Sequence, residues 1–253
     1  MKVRIPVIWF DTIDSTNTEA KRQILSVDKM SVFAAYCQTA GRGQRGNKWL
    51  SAPGENLTFT IALRMEGFYT GSQSIIDAKD QFLLSEAAAL SVTDWLETQG
   101  ITASIKWPND IYVRDKKICG ILIENILDGN GLDASIIGIG LNLRQTDFPI
   151  ELNNPTSVAK IKGSSPGLEE ALEGILDSFM VRLNQAFNTK DVLRDSYLDK
   201  LYRRDRVYTY RDCRNDTLFE GKIKGISDLG LLLVEMPDRS IEEFSFKEIG
   251  YVI

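Results

Sequence analysis

Apolar positions along the chain fall into two rhythms. SVFAAYCQ (31–38) is an unbroken apolar run of strand length, and LTFTIALRM (57–65) alternates like a second strand. DQFLLSEAAALSVTDWLETQG (80–100) is a long, strongly apolar stretch that predicts a helix ending at Gly100. Residues 104–143 read as a series of strands, with RDKK and DGNG as hairpin turns. GLEEALEGILDSFMVRLNQAF (167–187) returns to helical spacing and predicts a second long helix. Near the start, the apolar run IWFDTID meets a helix signal: Thr16-Asn17-Thr18-Glu19 fits a capping box, and EAKRQIL follows as an amphipathic turn or two. NNPTSVAKIKGSSPG (153–167) reads as a surface connection or a helix-bearing loop. After Arg204 the texture changes to RVYTYRD, TLFEGKIKGIS, LGLLLVEMP and SIEEFSF, short strands joined by tight polar turns. Such a stretch suits a small SH3-like barrel. The expected division is therefore 1–203 and 204–253.

The composition narrows the chemistry. The chain has 253 residues, 43% hydrophobic and 26% charged, and no apolar run near the ~20 residues of a membrane span. MKVRIPVIWF is soon interrupted by Asp11 and is too short for a signal peptide, so a cytoplasmic protein is expected. A net charge of −5 argues against broad nucleic-acid binding. Cys37, Cys119 and Cys213 lie far apart and read as buried or half-buried thiols. There is no histidine. That removes Ser-His-Asp and Cys-His nucleophile chemistry, so an enzyme built on this chain works by positioning and fixed charge.

Four stretches carry chemistry. GRGQRG (41–46) has the spacing of a dinucleotide-binding fingerprint, but Pro53 and Gly54 break any following helix, so the unit is strand–loop–strand and the NAD reading fails. Arg42, Arg45 and Lys48 instead make a pliable cationic loop, either merely solvated or suited to phosphate and carboxylate. KWPND (106–110) precedes KKICGILIE (116–124). Lys106 and Lys117 are expected on consecutive strands, with Pro108 holding Trp107 extended and Asn109-Asp110 in a turn. These lysines either form an anion pocket or sit solvated on a hairpin. DSTN (14–17) is a helix cap, or a helix N-terminus offered to a polar ligand. IGIGLNL (137–143) places glycines inside an apolar strand, where a ligand or backbone comes close, or where a bulge forms.

In this order, DSTN, QTAGRGQRGNKW, KWPND with KKICGILIE, and IGIGLNL resemble the biotin–protein ligases over essentially the whole chain. The resemblance implies an α+β fold: a central mixed or antiparallel sheet flanked by helices, of class II synthetase type, with the small C-terminal SH3-like barrel. It implies that biotin's carboxylate attacks the α-phosphorus of ATP, with Mg²⁺, giving biotinyl-5′-AMP and pyrophosphate. A lysine of a biotin carboxyl carrier domain, from acetyl-CoA carboxylase or another biotin-dependent carboxylase, then takes the biotinyl group. Carried over by position, Ser15, Thr16, Asn17, Gln38, Arg42, Gly43, Gln44 and Lys117 bind biotin. Arg42, Arg45, Trp49, Lys106, Asn109 and Asn142 bind ATP and the adenylate. Lys117, Arg42, Lys106 and Asp110 are the catalytic set, with Asp110 orienting the incoming lysine or accepting its proton. No protein ligand to the metal is implied. Gln44 and Asn47 replace the arginines usual in the family's loop, two charges fewer, which predicts looser retention of the adenylate. With DSTN at residue 14 there is no room for the DNA-binding segment of many relatives, so no DNA partner is expected, and no membrane. Some relatives pair through sheet edges, which keeps a homodimer open. A lipoate–protein ligase and a non-catalytic biotin binder are the alternatives.

Overall fold

The computed structural model describes residues 5–68, 76–129, 131–152 and 154–253. In chain order the elements are β1 (Val7–Phe10), α1 (Thr16–Gln23), β2 (Met30–Ala35), β3 (Leu57–Arg64), α2 (Phe82–Thr98), β4 (Ser104–Lys106), β5 (Asp110–Val113), β6 (Lys116–Asp128) and β7 (Gly131–Leu141). Then come α3 (Val158–Lys162), α4 (Leu168–Asn188), α5 (Lys190–Asp199) and five strands, β8 (Val207–Asp212), β9 (Thr217–Ile226), β10 (Leu232–Glu235), β11 (Ile241–Phe244) and β12 (Ile249–Tyr251). A mixed seven-stranded sheet runs β1-β2-β3-β7-β6-β5-β4, parallel only at β1–β2. A separate antiparallel sheet runs β11-β10-β9-β8-β12, the SH3-like module.

The period of two along β3 and β7 decides what each face does. Phe59, Ile61 and Leu63, with Ile137, Ile139 and Leu141, turn into the main core beneath α2. Opposite them the other face carries small and polar groups, Thr58 against Gly140 and Thr60 against Gly138. Farther along that face, Ala62, Ala134 and Ile136 meet Ala20 and Ile24 around α1. The covered face buries large apolar side chains, each stabilising by about 1.5–3 kcal/mol. The other face, where its glycines and threonines lie, is met at close range by Asn17 and Trp49, with a cleft left beside them. α2 is buried almost all round, and α4 lies against it closely enough that a Cβ on Gly174 would come within 2.6 Å of Trp95 Cδ1. The C-terminal sheet shares this core through Tyr210, Ile223, Leu232 and Phe244. It is pinned by a hydrogen bond from Trp107 Nε1 to the Gly230 carbonyl (2.9 Å).

Several local expectations are corrected. The capping box does not form. Ser15, not Thr16, holds the N-cap position and makes no side-chain cap bond. The Thr16 hydroxyl is taken by Gln38 and Thr60, while Glu19 turns to Arg22 and Gln23. Lys106 and Lys117 are not on consecutive strands, because β5 runs between β4 and β6. Trp107–Pro108 is a cis peptide within a turn, and Asp110 opens β5. Cys119 is buried and Cys37 half-buried, but Cys213 is exposed, since it follows β8 on the small sheet's surface. α5 and β12 were not read from the sequence, and α3 forms in the stretch read as a helix-bearing loop. Of the DGNG turn, Asn130 lies outside the described residues. Among the described residues no helix is long and apolar enough to cross a membrane.

Candidate functional site

The open face of the sheet is the floor of a cleft of about 180 Å³ between the start of α1, the 41–49 loop and β6. Glycines make the room. A Cβ on Gly138 would lie 1.9 Å from Asn17 Oδ1, and one on Gly140 would lie 2.3 Å from Trp49 Cε2. Gly120 sits directly across from Gly140 in the β6–β7 ladder. These glycines are therefore close-approach positions, and the bulge alternative is set aside at Gly138 and Gly140, where the β3–β7 register runs unbroken.

The walls are fixed by hydrogen bonds. Gln38 Oε1 accepts from Thr16 N (2.8 Å) and Thr16 Oγ1 (3.2 Å). Thr60 Oγ1 is 2.8 Å from Thr16 Oγ1 and 2.7 Å from Asn17 Oδ1, and Asn17 Nδ2 donates to the Leu122 carbonyl at 3.3 Å. The loop folds back on itself as a small hairpin, with Gly43 N to Asn47 O (2.7 Å) and Trp49 N to Gly41 O (3.0 Å). Gly46, at φ 82°, closes its tip. Arg42 leaves this loop and forks onto Glu124, with N–O distances of 3.1 and 3.0 Å.

Lys117 reaches the floor because the strand is irregular there. Ile111 pairs with Cys119 but Tyr112 pairs with Lys117, so Ile118 is an extra residue that re-aims the side chains before it. Lys117 Nζ thus lies 3.2 Å from where a Gly120 Cβ would be. It is ion-paired with Asp110 Oδ1 at 2.5 Å. Its backbone is clamped on both sides, N to Asn154 O (2.9 Å) and O from Thr156 N (2.8 Å). Asn109 ties the preceding turn to β6, donating Nδ2 to Ile121 O at 2.6 Å. The Trp49 indole N–H is buried without a partner among the described residues.

The cleft lining brings together Ser15, Thr16, Asn17, Gln38, Arg42, Gly43, Gln44, Trp49, Asn109, Asp110 and Lys117, all expected from sequence. It does not include Lys106 or Asn142. Lys106 lines an adjoining cavity with Gln44, Asn109 and Asp110. Burial pushes its ammonium pKa down and Asp110 pulls it back up, with Lys117 and Arg203 adding to the depression. Asn142 follows β7 and anchors the next segment through Nδ2 to Thr156 O (2.9 Å). The Arg45 side chain lies outside the described residues.

Comparison with known proteins identifies the family. Residues 9–142 match the model of the biotin/lipoate A/B protein ligase family. The chain belongs to this family. It is 32% identical over 238 residues to the bifunctional ligase/repressor BirA of Bacillus subtilis (strain 168), covering 90% of this chain and 69% of that one. The biotin–[acetyl-CoA-carboxylase] ligase of Paracoccus denitrificans is 29% identical over 233 residues, 88% of this chain and 92% of its own. The structure of the biotin protein ligase from Aquifex aeolicus in complex with biotin and ATP superposes with a TM-score of 0.77 at 27% identity, covering 97% of each chain. As a family member, the chain is a ligase of the biotin–protein ligase type, with that fold.

Sequence reasoning missed Glu124 and Thr60, the two residues that hold Arg42 and Asn17 in place. Both follow the face rule: Gly120, Leu122 and Glu124 recur every second residue along β6, as Thr58 and Thr60 do along β3. Asn47 and Lys48 also line the cleft.

Proposed function

We propose that this ligase couples biotin to ATP and then to a carrier-domain lysine. The observation that carries the reading is the convergence, on one glycine-floored cleft, of a hydrogen-bonded polar end, a cationic flap and the Lys117–Asp110 pair, with Lys106 in the adjoining cavity beside the same carboxylate. Ser15, Thr16, Asn17 and Gln38 hold the head of biotin. Gln38 is preset for this, because its Oε1 is committed to Thr16 and its amide nitrogen has no partner among the described residues. Biotin's carboxylate then lies toward Lys117, with Arg42, Gly43 and Gln44 closing over it. ATP, which brings Mg²⁺ on its phosphates, lies along Trp49, Asn109 and Lys106. Among the described residues no cluster of three metal-ligating side chains exists, and Asp110 is held by Lys117.

In the first step a biotin carboxylate oxygen bonds to the α-phosphorus, the bond from that phosphorus to the bridging oxygen breaks, and pyrophosphate leaves with the electron pair. Two anions must approach for this, and Lys117, Arg42 and Lys106 offset their repulsion. The Arg42–Glu124 fork is partly exposed and contributes up to about 1 kcal/mol, so a phosphate or carboxylate can replace Glu124 on Arg42. The buried Trp49 N–H is a ready donor to such a ligand. In the second step the carrier lysine's amine attacks the acyl carbon and AMP leaves. Lys117 donates to the acyl oxygen, and Asp110 orients Lys117 and the incoming amine or takes its proton. A folded flap over the anhydride limits hydrolysis.

The test is incubation with biotin, ATP, Mg²⁺ and a biotin carboxyl carrier domain, read by streptavidin blot, with lipoate replacing biotin in a parallel pyrophosphate–ATP exchange assay. Biotin-dependent exchange and labelled carrier are expected. Exchange with lipoate instead would make the chain a lipoate ligase. Biotin binding with no exchange would make it a binder only.

A further inference from the structure

The C-terminal sheet reaches the nucleotide end of the site. A cavity of about 190 Å³ beside the cleft is lined by Gln44, Lys106, Asn109 and Asp110 from the large sheet's side, and by Lys247 and Tyr251 from the small one. This lining sets two ammonium groups against a single carboxylate, and that carboxylate is already paired with a third lysine, Lys117, at 2.5 Å. Lys106 is enclosed by aromatic faces, its Nζ 4.5 Å from the Tyr251 ring centre and 5.2 Å from that of Tyr112. The cavity therefore carries an excess of positive charge in a partly desolvated place, an arrangement that favours an arriving anion. Lys247 has a φ of 88°, the largest among the seven described non-glycine residues with positive φ, in a region that a glycine occupies more readily. Among the described residues it has no ion-pair partner. Strain held at a charged, unpaired side chain beside a cavity points to a task for that side chain.

We propose that Lys247 binds the β- and γ-phosphates of ATP together with Lys106, so that the small sheet completes the adenylation site and holds the departing pyrophosphate. This deepens the ligase reading above and rests on it. The charge it meets is the electron pair that leaves the α-phosphorus with the bridging oxygen. Lys247 plays no part in the second step, which involves no pyrophosphate.

The test uses the full chain with Lys247→Gly, Lys247→Ala and Lys247→Arg. Glycine relieves the positive φ, so that variant folds at least as well as the parent, and its thermal midpoint checks this. Biotin-dependent pyrophosphate–ATP exchange is measured against ATP and against pyrophosphate, and transfer to a carrier domain is measured from preformed biotinyl-5′-AMP. Loss of one charge-assisted contact predicts that Lys247→Gly and Lys247→Ala raise the KM for both ATP and pyrophosphate about tenfold. Transfer from preformed adenylate stays at the parental rate, and Lys247→Arg recovers most of the loss. Unchanged KM values in Lys247→Gly, with an active parent, overturn the proposal alone. So does an equal loss in the transfer step, which makes Lys247 a structural residue. A parent with no biotin-dependent exchange overturns the ligase reading, and this proposal with it.

Discussion

Glu86 is a carboxyl sealed inside the helical layer, and its removal has a calculable effect. It lies in α2 with no exposed surface. Oε1 accepts from Arg194 Nε at a long 3.3 Å, and Oε2 has no partner among the described residues. Arg194 is shared, its Nη1 lying 2.5 Å from Asp228, which is exposed on the small sheet's turn. Burial pushes the Glu86 carboxyl from its ordinary 4.5 up to about 7, against the opposing pull of Arg194. The folded chain therefore keeps a proton that the unfolded chain releases near pH 4.5, so stability falls as pH rises from about 4.5 to 7. A shift of about 2.5 units, the difference between about 7 and 4.5, corresponds to about 3 kcal/mol at 1.36 kcal/mol per unit. Glu86→Gln keeps the shape and one bond to Arg194 but cannot ionise. Its stability relative to the parent should be near zero at pH 4.5 and rise to about 3 kcal/mol in its favour by pH 8, as happens when poorly repaid buried charges are removed. Urea unfolding of both proteins across this range measures the difference directly. A difference that stays constant with pH would refute the reasoning.

Three further outcomes bear on the site. Lys117→Ala removes the donor facing the acyl oxygen and should cost about 3–4 kcal/mol of barrier, a loss of 10²–10³ in adenylate formation measured by biotin-dependent pyrophosphate–ATP exchange. Gln44→Arg restores one loop charge over the cleft and should slow release of biotinyl-5′-AMP into solution, measured by filter retention; equal release from both proteins would show that charge at this position is irrelevant. Gly138→Ala places a methyl 1.9 Å from Asn17 Oδ1, so Asn17 must leave Thr60 and Leu122. Overpacking of about 1–3 kcal/mol should weaken biotin 10- to 100-fold by calorimetry, and unchanged affinity would remove Asn17 from the pocket.

The parts of the fold that follow a single local rule were legible. The apolar runs at β2, β3 and α2 and the pattern at α4 give their elements, and Pro53 with Gly54 excludes a helix after the cationic loop. α5 was not legible, because KDVLRDSYLD is only ten residues long and buries just Leu193 and Tyr197, too few apolar positions to announce a helix. β12 is three residues long and is defined by its partner β8. The site was read as a list of side chains but not as an arrangement. The Arg42–Glu124 fork joins residues 82 apart, and the extra residue at Ile118 that turns Lys117 inward exists only in the pairing with β5. Lys106 and Lys117 share a hairpin only if 106–113 is a single strand, and the turn at 107–109 divides that stretch into β4 and β5.

The charges of this site wait in pairs, and that decides how an acidic chain gathers two anions. In a protein of net charge −5, Arg42 is held by Glu124 and Lys117 by Asp110. At these two positions an arriving anion therefore exchanges partners rather than meeting a bare cation. The two exchanges differ in depth. Arg42 is 44% exposed on its side chain, so screening keeps its pair weak and its release with the loop costs little. Lys117 is less exposed, lies against the glycine floor, and is clamped along its backbone by residues 154 and 156. Its ammonium stays put whichever oxygen it serves. On the proposed reading the labour divides: the outer pair opens and closes with ligand, and the inner pair keeps its geometry through both steps. Lys106 and Lys247, which share only Asp110 in their cavity, are left with charge to spare, and on the proposed reading the ATP polyphosphate takes it up.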